Sequence, residues 1–356
     1  MKQTKGNMRS RSRRLWDAIP FAGMMMVECS SVGLITLSKA SMLRGMSNFI
    51  FVMYSYALAT LLLLPSAFFC RRATLPPITV SLLCRLFLLG LIGYLVQVFA
   101  YTGINYSSPT LASAMSNLIP AFTFILAIIF RMEKLDLRSS NSQAKSLGTL
   151  VSIAGAFVVT LYKGPSILTT PSPSDSPHLH LFLPNSNWVI GGLFVAADCL
   201  LSALWYIFQA SIVKEYPQEF TLIFFYSFFA TIQSAIVCLL VEREPSKWRL
   251  RLDLELFTIV YSAVFGFGFS VGVQTWCLRK KGPFFVAMFR PLGIVIAVVL
   301  GIIFLGDILH IGSVIGSVII ALGFYAVMWG KAQEDKLVDG EFSSLEPSNQ
   351  SAPLLL

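Results

Sequence analysis

The chain has 356 residues, of which 55% are hydrophobic and only 13% charged, with a mean hydropathy of +0.72. Soluble domains hold roughly 45–50% apolar and about 25% charged residues, so this composition excludes an ordinary soluble enzyme and points to a chain whose solvent is lipid. The formal charge of +9 reads as anchoring of membrane helices at the cytoplasmic face rather than as nucleic-acid binding.

In chain order, residues 1–15 form a basic cytoplasmic tail containing "RSRSRR" at Arg9–Arg14. Apolar runs long enough to cross a ~30 Å hydrocarbon core then occupy 19–41, 49–70, 82–105, 110–130 and 146–162. The first carries Glu28, with Lys39 on the same face. An ionised acid at a helix centre costs about 2.5–3.5 kcal/mol on insertion scales, so Glu28 should face a cavity or a partner rather than lipid. Gln97 and Tyr101 in the third span, and Ser113 and Asn117 in the fourth, are expected either to line that cavity or to bond neighbouring helices. Pro120 follows at the kinkable i+7 position. Gly148 and Gly155 in the fifth span form a close-packing stripe.

A Ser/Pro-rich stretch at 164–187 reads as a loop between two halves. Five more spans follow at 188–211, 221–241, 256–278, 284–305 and 308–330. In the sixth, Asp198, Ser202, Trp205 and Gln209 stand at i, i+4, i+7 and i+11, on one face. In the ninth, Arg290 beside Pro291 either snorkels to the membrane edge or attracts a substrate carboxylate where the proline loosens the helix. The tenth carries Gly312, Gly316 and Gly323, a further packing stripe. A polar cytoplasmic tail, 332–356, ends the chain. Placing both termini in the cytoplasm puts most of the 27 Lys and Arg residues on that side. The loop at 242–255 is the one basic segment this orientation leaves outside.

The spans repeat. Pro109, Leu118 and Ile128-Ile129-Phe130 return 174 residues later as Pro283, Leu292 and Ile302-Ile303-Phe304, with Glu133 falling on Asp307. Gly148, Gly155, Val159 and Lys163 return 168 residues on as Gly316, Gly323, Val327 and Lys331, and Cys29, Ala40 and Ser41 return 170 on as Cys199, Ala210 and Ser211. The repeats are thus 16–163 and 188–331, five helices each, and an odd number of spans forces the second half upside down relative to the first. In the 170 register Glu28 falls on Asp198. The two acids should therefore face one another near the midplane across a pseudo-two-fold axis, either as a substrate site or as hydrogen-bonding groups between helices.

Nucleotide and metal chemistry have no such support. "GFGFSVG" at 266–272 lacks the GxGxxG spacing, there is no Walker A sequence, and the pair His178 and His180 has no companion ligands. Six cysteines without CxxC spacing suggest neither a disulfide framework nor a zinc site. No cofactor and no metal are expected.

The stretches "ECSSVGLITLSKASMLRGMSNFIFVMYSYALATLLLLP", "NYSSPTLASAMSNLIPAFTFILAIIF" and "RKKGPFFVAMFRPLGIVIAVVLGIIFLGDILHIGSVIGSVIIALGFYAVMWGK" closely resemble the plant walls-are-thin-related proteins. These are also called usually-multiple-acids-move-in-and-out transporters, a nodulin-like branch of the drug/metabolite transporter superfamily with paired EamA domains. The resemblance runs from about Trp16 to Lys331. It implies facilitated, often bidirectional movement of amino acids, with some relatives moving auxin, at the plasma membrane or in some cases the vacuole. It supplies no settled set of binding residues.

The combined reading is a ten-helix, non-enzymatic transporter of inverted repeats that works by alternating access, with amino acids and the lipid bilayer as its partners. Glu28 and Asp198 would meet an ammonium group, Trp205 would add a cation–π contact, and Arg290 or a helix amino terminus would meet a carboxylate. The rivals are a nucleotide-sugar or phosphorylated-metabolite exchanger, which needs more cations than Arg290 and Lys39 supply, and a non-transporting receptor or scaffold.

Overall fold

The structure, a computed structural model, describes residues 2–69, 78–106, 115–133, 138–162, 165, 186–244, 248, 250, 253–300 and 310–345. Among these the secondary structure is essentially all helical. A chain in lipid has no water for unpaired backbone groups, so each crossing closes its own hydrogen bonds as a helix. In the first half these are α1 (Lys2–Leu43), α2 (Asn48–Phe69), α3 (Val80–Tyr106), the short α4 (Ile119–Ile129) and α5 (Ser140–Leu161). The second half has α6 (Ser186–Glu215), α7 (Glu219–Val241), α8 (Leu254–Lys281), a ninth crossing made of α9 (Pro283–Ala287) and α10 (Arg290–Leu300), and α11 (Ile311–Leu345). Nine described stretches are long and apolar enough to cross a membrane, and α4 is a shorter apolar helix at the place of the fourth expected span. The chain is a multi-pass integral membrane protein.

The two fifth helices show the inversion directly. α5 packs against α11, and their glycines meet in reverse order. A Cβ on Gly148 would come within 2.7 Å of the Gly323 carbonyl, and one on Gly155 within 2.9 Å of the Gly316 carbonyl. Equivalent helices of the two halves therefore run antiparallel, as an upside-down repeat requires. Gly312 is buried at the start of α11. The same antiparallel pairing joins α3 to α6, with Arg85 bonded to Glu215 at one end and Gly103 against Val195 towards the other.

Contacts at the helix ends sort the molecule into two sides. On one, Phe21 packs edge-on against Phe285 and Phe289 (ring centroids 5.3 and 6.0 Å), and Lys331 pairs with Glu133 at 2.6 Å. α1 and α11 both extend beyond this side, so both terminal helices leave from it, and we call it the tail side. On the far side Arg44 pairs with Asp253 at 2.8 Å, Trp248 is clasped between the Tyr54 hydroxyl and the Glu242 carbonyl, and Ile311 N donates to the Pro165 carbonyl at 3.0 Å.

Two departures from regular helix bear on the site. The fourth and ninth crossings, expected as continuous helices bent at Pro120 and Pro291, are interrupted instead. Residues 117–118 form a turn and α4 starts at Ile119, while α9 ends at Ala287 and α10 starts at Arg290. Each proline stands second in its helix. There its missing N–H is harmless, since first-turn N–H groups have no intrahelical partner, whereas in a helix interior it would remove a hydrogen bond. The middle of α8, Ser262–Ser270, is π-helical, the wider form that recurs at functional sites. Its Phe267 ring lies on Tyr56 of α2, with centroids 4.1 Å apart.

Candidate functional site

Glu28 is buried on α1, 3% exposed, and its carboxylate presses on α10 at Gly293. A Cβ there would sit 2.7 Å from Oε2. Bare backbone at residue 293 is what lets the acid approach. One turn earlier on the same helix, Arg290 donates from Nε to the Tyr206 hydroxyl of α6 at 3.1 Å. Asp198, 7% exposed and two turns before Tyr206, accepts from Ser202 at 3.4 Å. The charge of Arg290 acts on both carboxylates, and the Tyr206 hydroxyl lies within the field of all three groups. Three helices, α1, α6 and α10, thus bring two acids and one base into one charge cluster, with Tyr206 bonded to the base.

Fully ionised, the cluster carries one net negative charge. Burying it in a medium of low dielectric constant is costly unless a counter-charge arrives. Arg290 is also the first residue of α10, at the positive end of that helix's dipole. The cluster therefore offers groups of both signs, two acids suited to a cation and one arginine suited to an anion.

The other expected lining residues are distributed more loosely. Asn117 is buried in the turn before α4. The carbonyl of nearby Met115 accepts from Cys199 Sγ at 3.2 Å, which sets this segment against α6 beside Asp198. Gln97 is half-buried on α3, level with the Asp198 region in the antiparallel α3–α6 register, while Tyr101 meets Phe51 of α2 edge-on at 6.5 Å. Ser113 lies outside the described residues, as does the side chain of Lys39. Trp205 packs on Tyr206 and Tyr226 (5.4 and 5.9 Å), with its indole nitrogen crowding Gly93. Tyr226 in turn meets the Tyr56 hydroxyl at 3.0 Å. The α6 aromatic beside the charges is therefore Tyr206, and Trp205 stands behind it. Sequence periodicity pointed to neither Tyr206 nor Gly293.

Comparison with known sequences follows the repeat. The EamA-like transporter family matches twice, over residues 21–161 and 189–329. The chain belongs to this family of membrane transporters. Among similar EamA-like proteins is the WAT1-related protein At5g40240 of Arabidopsis thaliana, 51% identical over 96% of this chain and 92% of that one. Another, the WAT1-related protein At3g28050 of the same plant, is 50% identical over 91% and 89%. The chain is thus a WAT1-related member of the drug/metabolite transporter superfamily. A crystal structure with a TM-score of 0.62 covers 88% of this EamA-like chain and 96% of its own at 14% identity, a likeness of fold.

Proposed function

We propose that this EamA-like transporter moves amino acids across a plant membrane by alternating access, through a site that holds the two ends of a zwitterion separately. The observation that carries this reading is the convergence of two buried acids, Glu28 and Asp198, and the half-buried Arg290, three charges from three helices at one tyrosine hydroxyl. An ammonium group between Glu28 and Asp198 neutralises the excess negative charge. The α-carboxylate then meets the guanidinium edge left open when Arg290 gives its Nε to Tyr206, a planar two-point match for a carboxylate. The amino terminus of α10 adds to the same end. A phosphorylated substrate fits poorly, because two acids beside a single arginine repel it.

In this reading the functional halves are 16–163 and 188–331, joined by the loop 164–187. Both termini are cytoplasmic, and the plasma membrane is the site of action, with the vacuolar membrane as the alternative.

The test is uptake of labelled amino acids into proteoliposomes at matched protein levels, comparing wild type with Glu28→Gln, Asp198→Asn and the double variant. Each change keeps size and removes charge. A charge-assisted contact is worth roughly 1.5–3 kcal/mol, so apparent affinity should fall about ten- to hundredfold. Unchanged concentration dependence in both variants would make the acids structural and end the proposal.

A further inference from the structure

A second cluster of buried charge lies on the tail side, away from the candidate site. Glu133, four residues past the end of α4, pairs with Lys145 of α5 at 3.1 Å and with Lys331 of α11 at 2.6 Å. Lys145 also pairs with Glu334 of α11 at 2.8 Å, and Glu334 lies 3.7 Å from Lys331. The Lys145 side chain is fully buried and that of Glu133 is 2% exposed. Two acids and two bases balance, so the group is neutral and, unlike the site cluster, has no charge left for a ligand. It also joins the two repeats, Glu133 and Lys145 belonging to the first, Lys331 being the last residue of the second and Glu334 lying on the α11 turn just past it.

Glu133 occupies the point where both interrupted crossings arrive. From one direction, the chain reaches it out of α4 through Arg131, held at φ 56°, a left-handed conformation rarely adopted by residues with a side chain. The other end of α4 begins beside Asn117 and Pro120, against α6 near Asp198. From the other direction, a Cβ on Gly282 would lie 3.7 Å from Glu133 Oε1. Gly282, itself at φ 85°, is the turn into α9, which leads directly to Arg290. One carboxylate therefore lies beside the outer ends of both routes to the site and is itself paired with α5 and α11.

We propose that Glu133, Lys145, Lys331 and Glu334 form a latch that holds the tail side shut and must come apart for the site to open there. This rests on the alternating-access reading but not on which substrate is carried. A buried pair gains little over the cost of stripping water from its charges, but one member left buried alone is strongly unfavourable, so the pair either stays made or parts with both members rehydrated. Such a contact has two discrete states, made or broken, as a gate requires.

The test joins Glu133→Cys to Lys331→Cys in a background whose six native cysteines are serine. A bifunctional methanethiosulfonate reagent closes the pair and a reductant reopens it. Flux should stop on cross-linking and return on reduction, while each single-cysteine variant treated with the same reagent keeps its own flux. Cross-linking that goes to completion without slowing flux would overturn the proposal. A gentler variant, Glu334→Gln at the partly exposed rim, should raise deuterium exchange of the α4 and α9 backbone at least about threefold by favouring the open state. No increase there would also count against the latch. Should the wild type carry no amino acid, the substrate reading falls, while the exchange measurement still decides the latch.

Discussion

Gly293 sets how closely Glu28 can approach α10, which gives a test at a residue that carries no charge. Alanine favours a helix over glycine by about 0.5–1 kcal/mol, so Gly293→Ala should leave folding intact or slightly strengthen it. Its methyl group would nevertheless claim the space 2.7 Å from the Glu28 carboxylate, and that carboxylate, the free end of a flexible side chain, would swing away. We expect apparent affinity for an amino acid to fall about tenfold, equivalent to about 1.4 kcal/mol, with an unchanged thermal midpoint in detergent. Equal affinity would mean that the position of the Glu28 carboxylate does not matter. Glu28 and Asp198 were legible in the sequence because a carboxylate within an apolar run has no cheap place in lipid. Gly293 and Tyr206 were not. A glycine in a membrane helix signals close approach without naming its partner, and Tyr206, eight residues beyond Asp198, falls off the stripe that periodicity selects.

The α5–α11 seam is the firmest contact between elements. Each of its four paired glycines meets backbone of the facing helix, with valine or isoleucine side-chain atoms beside Gly148, Gly155 and Gly316. A Cβ on Gly155 would lie 2.7 Å from Ile320 N as well as 2.9 Å from the Gly316 carbonyl. Relief would require whole helices to separate, so Gly155→Ala should destabilise by about 1–3 kcal/mol, in the range of overpacked cores. A thermal unfolding midpoint equal to wild type in detergent would show that the helices are not in contact there. The spacing of seven residues made this stripe readable as a packing surface. The interruptions at 117–118 and 288–289 were less readable, because a proline has the same letter whether it bends a helix or begins one. The π-helical stretch was hidden entirely, since nothing in "SAVFGFGFS" distinguishes five-residue from four-residue bonding.

At the scale of the molecule, the two-repeat plan was the most legible feature, since residue types recurring at separations of 168 to 174 positions leave few other architectures. Tertiary contacts between the halves, such as Glu133 with Lys331, were not legible, because lysines and glutamates near span ends normally read as solvated anchors. The shared tail side makes orientation a single question. An epitope placed after Leu356 should be reached by antibody only after cells are permeabilised, and Asn349 should carry no glycan. Labelling of intact cells would reverse the assignment of sides and, with it, the compartment towards which the latch faces.

The short α4 has a mechanical consequence. Eleven residues make a rod about 16 Å long. Pivoting near Pro120 once the latch lets go, such a rod is a lever, and a tilt of about 15° carries its tip about 4 Å. Rotation too slight to unpack the proline end would therefore part every charged pair that Glu133 makes.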